Sequence, residues 1–482
     1  MIEALDANPP LGIRGPLALM LQLAQTSATT GPLKVDLKRC VTRSWCRRRI
    51  VRNQQRSLGI KRMVSCTFAL VLLLLCSAVL HAEAPGIEWF KGQGTDNGEH
   101  VHEGCQTSDS GYIAIGQGFH DDEPYVLIIK VDNEGNLAWQ KTFGGAGKWG
   151  IGYCVAEVPD GYIVGGKLYD SSCQRMQRFL AKLDCAGDTV WEKFYGAPGL
   201  GAIRGIDITA DGGIVATGYT NAPNTEEFRE FVFIADGGDG FVGFIMKIDA
   251  KGSVEWEKPI DAPQGTKVRE ISRGYAICSC VWTQTEGTEA NQDFCLMETD
   301  DRGNTLWRKA FGGSRPDHLY DFDVTKDGGY ILGGHTLSYG VKNWDYLLMK
   351  VDGDGKEEWH KTFGQPRGYD ARYIHDEAYG VRQTPDGGYI LAGGSGDEYD
   401  SYHGSGHPAG PSDEWKVYLV RTDGEGNLLW EGIYPAAADV GNNAAEYIGL
   451  TRDGGYIVFV DTDSQTPPEP NNFGFLKIAP DK

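Results

Sequence analysis

The chain has 482 residues, of which 41% are hydrophobic, and a formal net charge of −20. Such acidity repels phosphate backbones and excludes a nucleic-acid ligand. The length suffices for a large core, and no apolar run reaches the roughly 20 residues a membrane-spanning helix needs.

Charge is unevenly divided. Residues 1–82 carry 12 Lys and Arg against 3 Asp and Glu, whereas residues 83–482 carry 34 against 63. The first 62 residues include Arg47-Arg48-Arg49 but no apolar periodicity, and they are expected to be an unstructured extension upstream of a translation start near Met63. Residues 63–82 follow Lys61-Arg62, run through an apolar stretch from Phe68 to Leu80 and end at Ala82 before Glu83, the pattern of a secretory signal peptide. Leu75 before Cys76 is too bulky for a lipid-attachment box, so a soluble protein that is secreted, periplasmic or at the cell surface is expected. Seven cysteines remain after residue 82. Cys278 and Cys280 share a strand face, with Cys295 on the next strand, and an oxidising compartment permits bridges. The odd count leaves at least one thiol unpaired.

From residue 83 onward one phrase recurs seven times, a Gly before an aromatic or aliphatic run: Gly111, Gly161, Gly213, Gly274, Gly329, Gly388 and Gly455. A second phrase, Asp-x-x-Gly-x-x-x-Trp, follows each of the first six and is introduced by Lys-x in four of them, as in Lys130 to Trp139 and Lys350 to Trp359. Each repeat reads as four short strands, so the fold class is all-β, a seven-bladed β-propeller. The Asp-Gly-Gly turns supply residues that tolerate positive φ. The Asp of the second phrase is expected to cap its own hairpin, and the Trp to be buried between blades. Gly334 and Gly394 are placed where a side chain would crowd neighbouring backbone.

The phrases are out of phase at the chain ends. Trp89 precedes the first Gly-Tyr, while Phe475 to Ala479 closes the last repeat without a Trp. The segment Ile87 to Lys91 is therefore expected to supply the outer strand of the last blade, closing the ring and removing free sheet edges.

These phrases resemble the docking motif of pyrroloquinoline-quinone-type propellers, with a hairpin one residue shorter. More closely, they are similar to a family of secreted prokaryotic propeller-repeat proteins, mostly without an assigned activity, over residues 87–479. The resemblance implies architecture alone. The adjacent Cys-Cys pair of quinoprotein dehydrogenases is absent, so no quinone cofactor is implied.

Turns joining first to second and third to fourth strands are short and nearly invariant, and share one face of the ring. Variation lies on the opposite face, in the connections 219–241, 395–414 and 461–473 and between blades at 364–377 and 435–445. Unequal loops on rigid repeats mark a binding surface. Trp149, Trp344 and Trp415 stand outside the repeat Trp series near that face and are candidate ligand anchors. In the blade-six loop, Tyr402 and His403 are further candidates, and Asp397, Glu398 and Asp400 form an oxygen-rich group suited to calcium. A catalytic alternative uses His318, Tyr320, Arg372, Tyr373 and His375 in two neighbouring blade-to-blade connections. Such a set could abstract and return a proton while neutralising a carboxylate, as a polysaccharide lyase requires.

The expected protein is a monomeric, secreted propeller that binds an extracellular glycan or cell-surface protein without chemistry, with calcium as its one candidate cofactor. The alternative is a carbohydrate-active enzyme such as a lyase.

Overall fold

The computed structural model describes residues 82–482 apart from 96–97, 121–122, 145–148, 173–174, 197–199, 223–240, 284–290, 369–371, 373, 398–414, 435–441 and 464–471. The expected leader (1–62) and all of the expected signal segment (63–82) except Ala82 lie outside the described residues.

The described residues form 28 strands in seven four-stranded antiparallel sheets, the seven blades of a propeller. The inner strands, in blade order, are Glu99–Gln106, Gly150–Val158, Leu200–Ile208, Lys267–Ile271, Asp317–Val324, Ile374–Gln383 and Asn443–Leu450. In blade six the inner strand begins four residues earlier than the repeat predicts, because Ile374 to Glu377 pair with Gly394 to Asp397.

Ring closure follows the sequence expectation. The strand Ile87–Gln93 pairs with Asn472–Ile478, placing Ile87 opposite Ile478 and Lys91 opposite Phe475. It is the fourth strand of the last blade.

Second and third strands are buried along nearly their whole length, since each blade is covered on both faces by its neighbours. Outer strands such as Thr189–Tyr195 alternate between exposed and half-buried positions. The repeat Trp residues sit on these outer strands and correct an expectation. Six are half-buried, and Trp430 alone is buried, at 2% exposure. Each of the six lies against the hairpin glycine of the next blade. Gly135 adopts φ 79°, and a Cβ there would meet the Trp89 ring at 2.6 Å. Their outer edges stay open to solvent. Trp430 is covered because the C-terminal tail folds over it, with its Nε1 donating to Asp481 at 2.9 Å.

The hairpin Asp residues cap as expected. Asp132 Oδ1 accepts the amides of Glu134 and Asn136 at 2.9 and 2.8 Å. The Lys of the phrase has a partner that the spacing did not reveal. Lys130, Lys247, Lys350 and Lys477 each reach back to the Asp of their own Asp-Gly-Gly or Asp-Ser-Gly turn at 2.9–3.0 Å. Blade four reverses the charges, with Glu298 in the Lys position and Arg273 beside the turn, 2.7 Å apart.

Among the described residues, six cysteines are thiols: Cys105, Cys154, Cys185, Cys278, Cys280 and Cys295. Cys295 is the register partner of Ser279, so it shares that residue's face and points away from Cys278 and Cys280. The Cys280 sulfur accepts the Leu319 amide at 3.1 Å instead.

Candidate functional site at the channel mouth

Inner strands run from the loop-bearing face toward the turn face, so their first residues surround the mouth of the central channel. On six of them the register slips by one residue at the same place: His102, Tyr153, Arg204, Tyr320, Tyr379 and Glu446. A β-bulge re-aims the extra side chain, and here all six reach one cavity. Thr266 and Lys267 from blade four complete its lining. Its volume is about 50 Å³, room for water or an ion and too little for a sugar ring.

Further toward the turn face, charges cross the channel. Lys267 of blade four pairs with Glu103 of blade one, both largely buried. Asp321 receives Arg382, with Arg269 at 3.8 Å, and Arg382 also lies 4.5 Å from the centre of the Tyr447 ring. The Lys267–Glu103 pair spans distant blades, whereas Asp321 joins blade five to its neighbours four and six.

Above the cavity, blades five and six build an imidazole and aromatic cluster. His318 Nδ1 and His335 Nε2 are 3.2 Å apart. The Trp344 ring centre lies 4.6 Å from His318 and 4.8 Å from His335. Tyr320 stacks near His335 at 5.1 Å and meets Tyr379 at 4.8 Å. Glu377 joins this group to His375, with Oε1 3.3 Å from His375 Nδ1 and Oε2 accepting the Tyr379 hydroxyl. Burial, reinforced by the neighbouring imidazole, lowers His318 to about 3, and burial lowers His335 to about 4. Burial opposes ionisation of Glu377, yet His335, His375 and the Tyr379 hydroxyl bring it down to about 2. At neutral pH Glu377 is a carboxylate and the His318 and His335 rings are neutral.

The structure therefore brings together four of the residues singled out from sequence: His318, Tyr320, His375 and Trp344. Three corrections follow. His318, Tyr320 and His375 lie within inner strands and not in the connections, because pairing begins earlier than the repeat predicts. Arg372 is exposed and meets Asn343 through its carbonyl oxygen. The cations that line the channel cavity are Arg204 and Lys267. At Gly394 it is the Trp415 ring, 2.6 Å from where a Cβ would stand, that excludes a side chain. At Gly334 it is the His318 carbonyl, as expected.

Trp344 and Trp415 occupy equivalent places before the third strands of blades five and six. Each is half-buried, and each carbonyl accepts the amide of the next blade's inner strand: Trp344 from Asp376 and Trp415 from Asn443, both at 2.8 Å. Trp149 is half-buried too, its carbonyl held by the Tyr169 amide at 2.7 Å. Glu398, Asp400, Tyr402, His403 and Tyr373 lie outside the described residues, as does the side chain of Asp397.

A third group escaped the sequence reading. His100, Glu446 and Asp461 converge at the seam between blades seven and one, with one ligand atom from each within 4.8 Å of the others. Asp461 faces His100 Nδ1 with Oδ2, and its Oδ1 accepts the Val101 amide at 2.8 Å. Sequence position carries a signal for the channel set. Its members stand nine residues before the repeat Gly in five blades and eight in two.

Together these features define a seven-bladed β-propeller with a polar channel mouth. No family model and no curated protein sequence matches the chain. Among solved structures, the chain is similar to the Neurospora crassa Pan2 WD40 domain, with TM-score 0.50 and 12% identity over 84% of this chain and 98% of that one. It is also similar to YCF48 bound to D1 peptide (TM-score 0.45, 11% identity, 83% and 98% covered). A third match is BBS1N in complex with ARL6DN (TM-score 0.44, 10% identity, 83% and 98% covered). At such identities the likeness shows the fold alone.

Proposed function

We propose that the protein is a secreted binding propeller that holds a neutral extracellular glycan on its loop-bearing face, without chemistry. The observation that carries this reading is the matched pair Trp344 and Trp415. Both rings are half-exposed on adjacent blades, and both backbones are bolted across a blade seam. Rigid aromatic platforms lose little entropy on binding and stack well on the C–H faces of sugar rings. The excess of 63 acidic over 34 basic residues after position 82 disfavours a polyanionic glycan.

Titration calorimetry of the full chain against a panel of neutral polysaccharides tests this. Trp344→Ala or Trp415→Ala lowers affinity for the identified glycan about tenfold or more, the cost of losing a central aromatic anchor, with the melting temperature little changed. Full affinity in both folded variants refutes it.

A second reading, lysis of a uronic-acid polymer, is favoured by one observation. Tyr320 faces the channel beside His318 and His335, the residue types that proton abstraction uses. Release of unsaturated sugar products, abolished by His318→Ala, would establish it.

A further inference from the structure

We propose that His100, Glu446 and Asp461 bind a divalent first-row transition ion, of the zinc or manganese type, that clasps blade seven to blade one where the ring closes. One imidazole and two carboxylate donors suit such an ion, whereas calcium prefers oxygen alone. The three donors come from two blades: His100 from the first inner strand, Glu446 and Asp461 from the first two strands of blade seven. Their ligand atoms lie within 4.8 Å of one another, close enough for one ion to reach all three after small side-chain rotations.

The donors are held in place before any ion arrives. The Val101 amide fixes one Asp461 oxygen and turns the other toward His100. The His102 ring stands edge-on to His100 at 4.4 Å. Glu446 is aimed inward by the bulge of its strand and lines the channel cavity beside His102. Supporting groups that orient metal ligands are the usual accompaniment of a working site. The repeat supplies an internal comparison. The positions equivalent to Asp461 hold Gln117, Lys167, Tyr219, Cys280, His335 and Gly394, so blade seven alone carries a carboxylate there.

The test uses the full chain stripped of metal with a chelator. Calorimetry and elemental analysis should show one equivalent of zinc or manganese bound, with a higher melting temperature at saturation. Glu446→Gln and His100→Gln should each weaken binding at least tenfold and remove the thermal shift, while circular dichroism stays that of the parent. Glu446→Gln keeps the question open to refutation should His100→Gln fail to fold. Absence of stoichiometric uptake, uptake of calcium alone, or parental affinity in folded Glu446→Gln would each overturn the proposal. So would binding lost in Asp400→Asn and retained in Glu446→Gln, which would move the ion to the blade-six loop.

Discussion

The Trp89 ring stands edge-on to Tyr112, 5.6 Å between centres, joining a residue of the last blade to one of the first. The same contact recurs around the ring as Trp139 on Tyr162, Trp256 on Tyr275, Trp307 on Tyr330, Trp359 on Tyr389 and Trp430 on Tyr456. The closing seam is therefore built with the same parts as the internal ones.

Deleting residues 87–93 strips that seam of its strand and leaves Asn472–Ile478 as an open edge. Unpaired edges recruit other chains, so the deletion should convert a monodisperse protein into aggregates, read by light scattering. A monodisperse deletion would show that another segment covers the edge.

The Trp residues are not interchangeable in stability. Trp430 is buried and bonded to Asp481, so Trp430→Ala should cost about 3–5 kcal/mol, the range for large buried aromatics. Trp359 is half-buried, and Trp359→Ala should cost about half as much by the same reasoning. Denaturant titrations of both variants measure the difference, and equal costs would contradict it.

Two sets of carboxyls act oppositely on pH dependence. Asp109, Asp211 and Asp327 in the turns are held near 2 by Thr hydroxyls, backbone amides and Lys partners. A depressed folded-state pKa contributes stability above the unfolded value near 4, lost as pH falls toward 2. Burial raises Asp376 to about 7 and Asp293 and Asp345 to about 6. Raised carboxyls cost stability when forced to ionise, so that cost is relieved as pH falls from about 7 to 4. The contribution of these carboxyls to the melting temperature should therefore peak near pH 5, and Asp376→Asn should flatten the loss on its alkaline side.

The reversed pair of blade four offers a sharper check. Glu298→Lys alone places two cations together and should destabilise the protein. Combining it with Arg273→Asp restores the arrangement of the other blades, and chemical denaturation should show recovery in the double variant. Additive losses would mean that the pair is not coupled.

Much of this was legible in the chain. The displaced Trp89 and the Trp-less final repeat predicted ring closure to the correct strands, because hairpin phrases mark strand ends whatever the tertiary context. The channel was harder to read. His102, Arg204 and Glu446 occupy one structural position, but a bulge residue breaks strand alternation, and the side chain placed there differs in every blade but those with Tyr. Repetition exposes what is constant, whereas the candidate site consists of what varies. Half-burial of the Trp rings was misjudged for a related reason, since an outer strand has a neighbour on only one side. Trp344 was placed correctly before its strand, but its contact with His318 and His335 joins positions from three different strands and leaves no local mark.

The pairing of Ile87 with Ile478 also imposes an order on folding. Among the described residues the first strand pairs with the last, so every blade between them must be synthesised before the seam can close. During that interval it carries unsatisfied amides and the uncovered Trp89 ring. Whatever shields this short segment until then decides whether the ring closes on itself or on a neighbour.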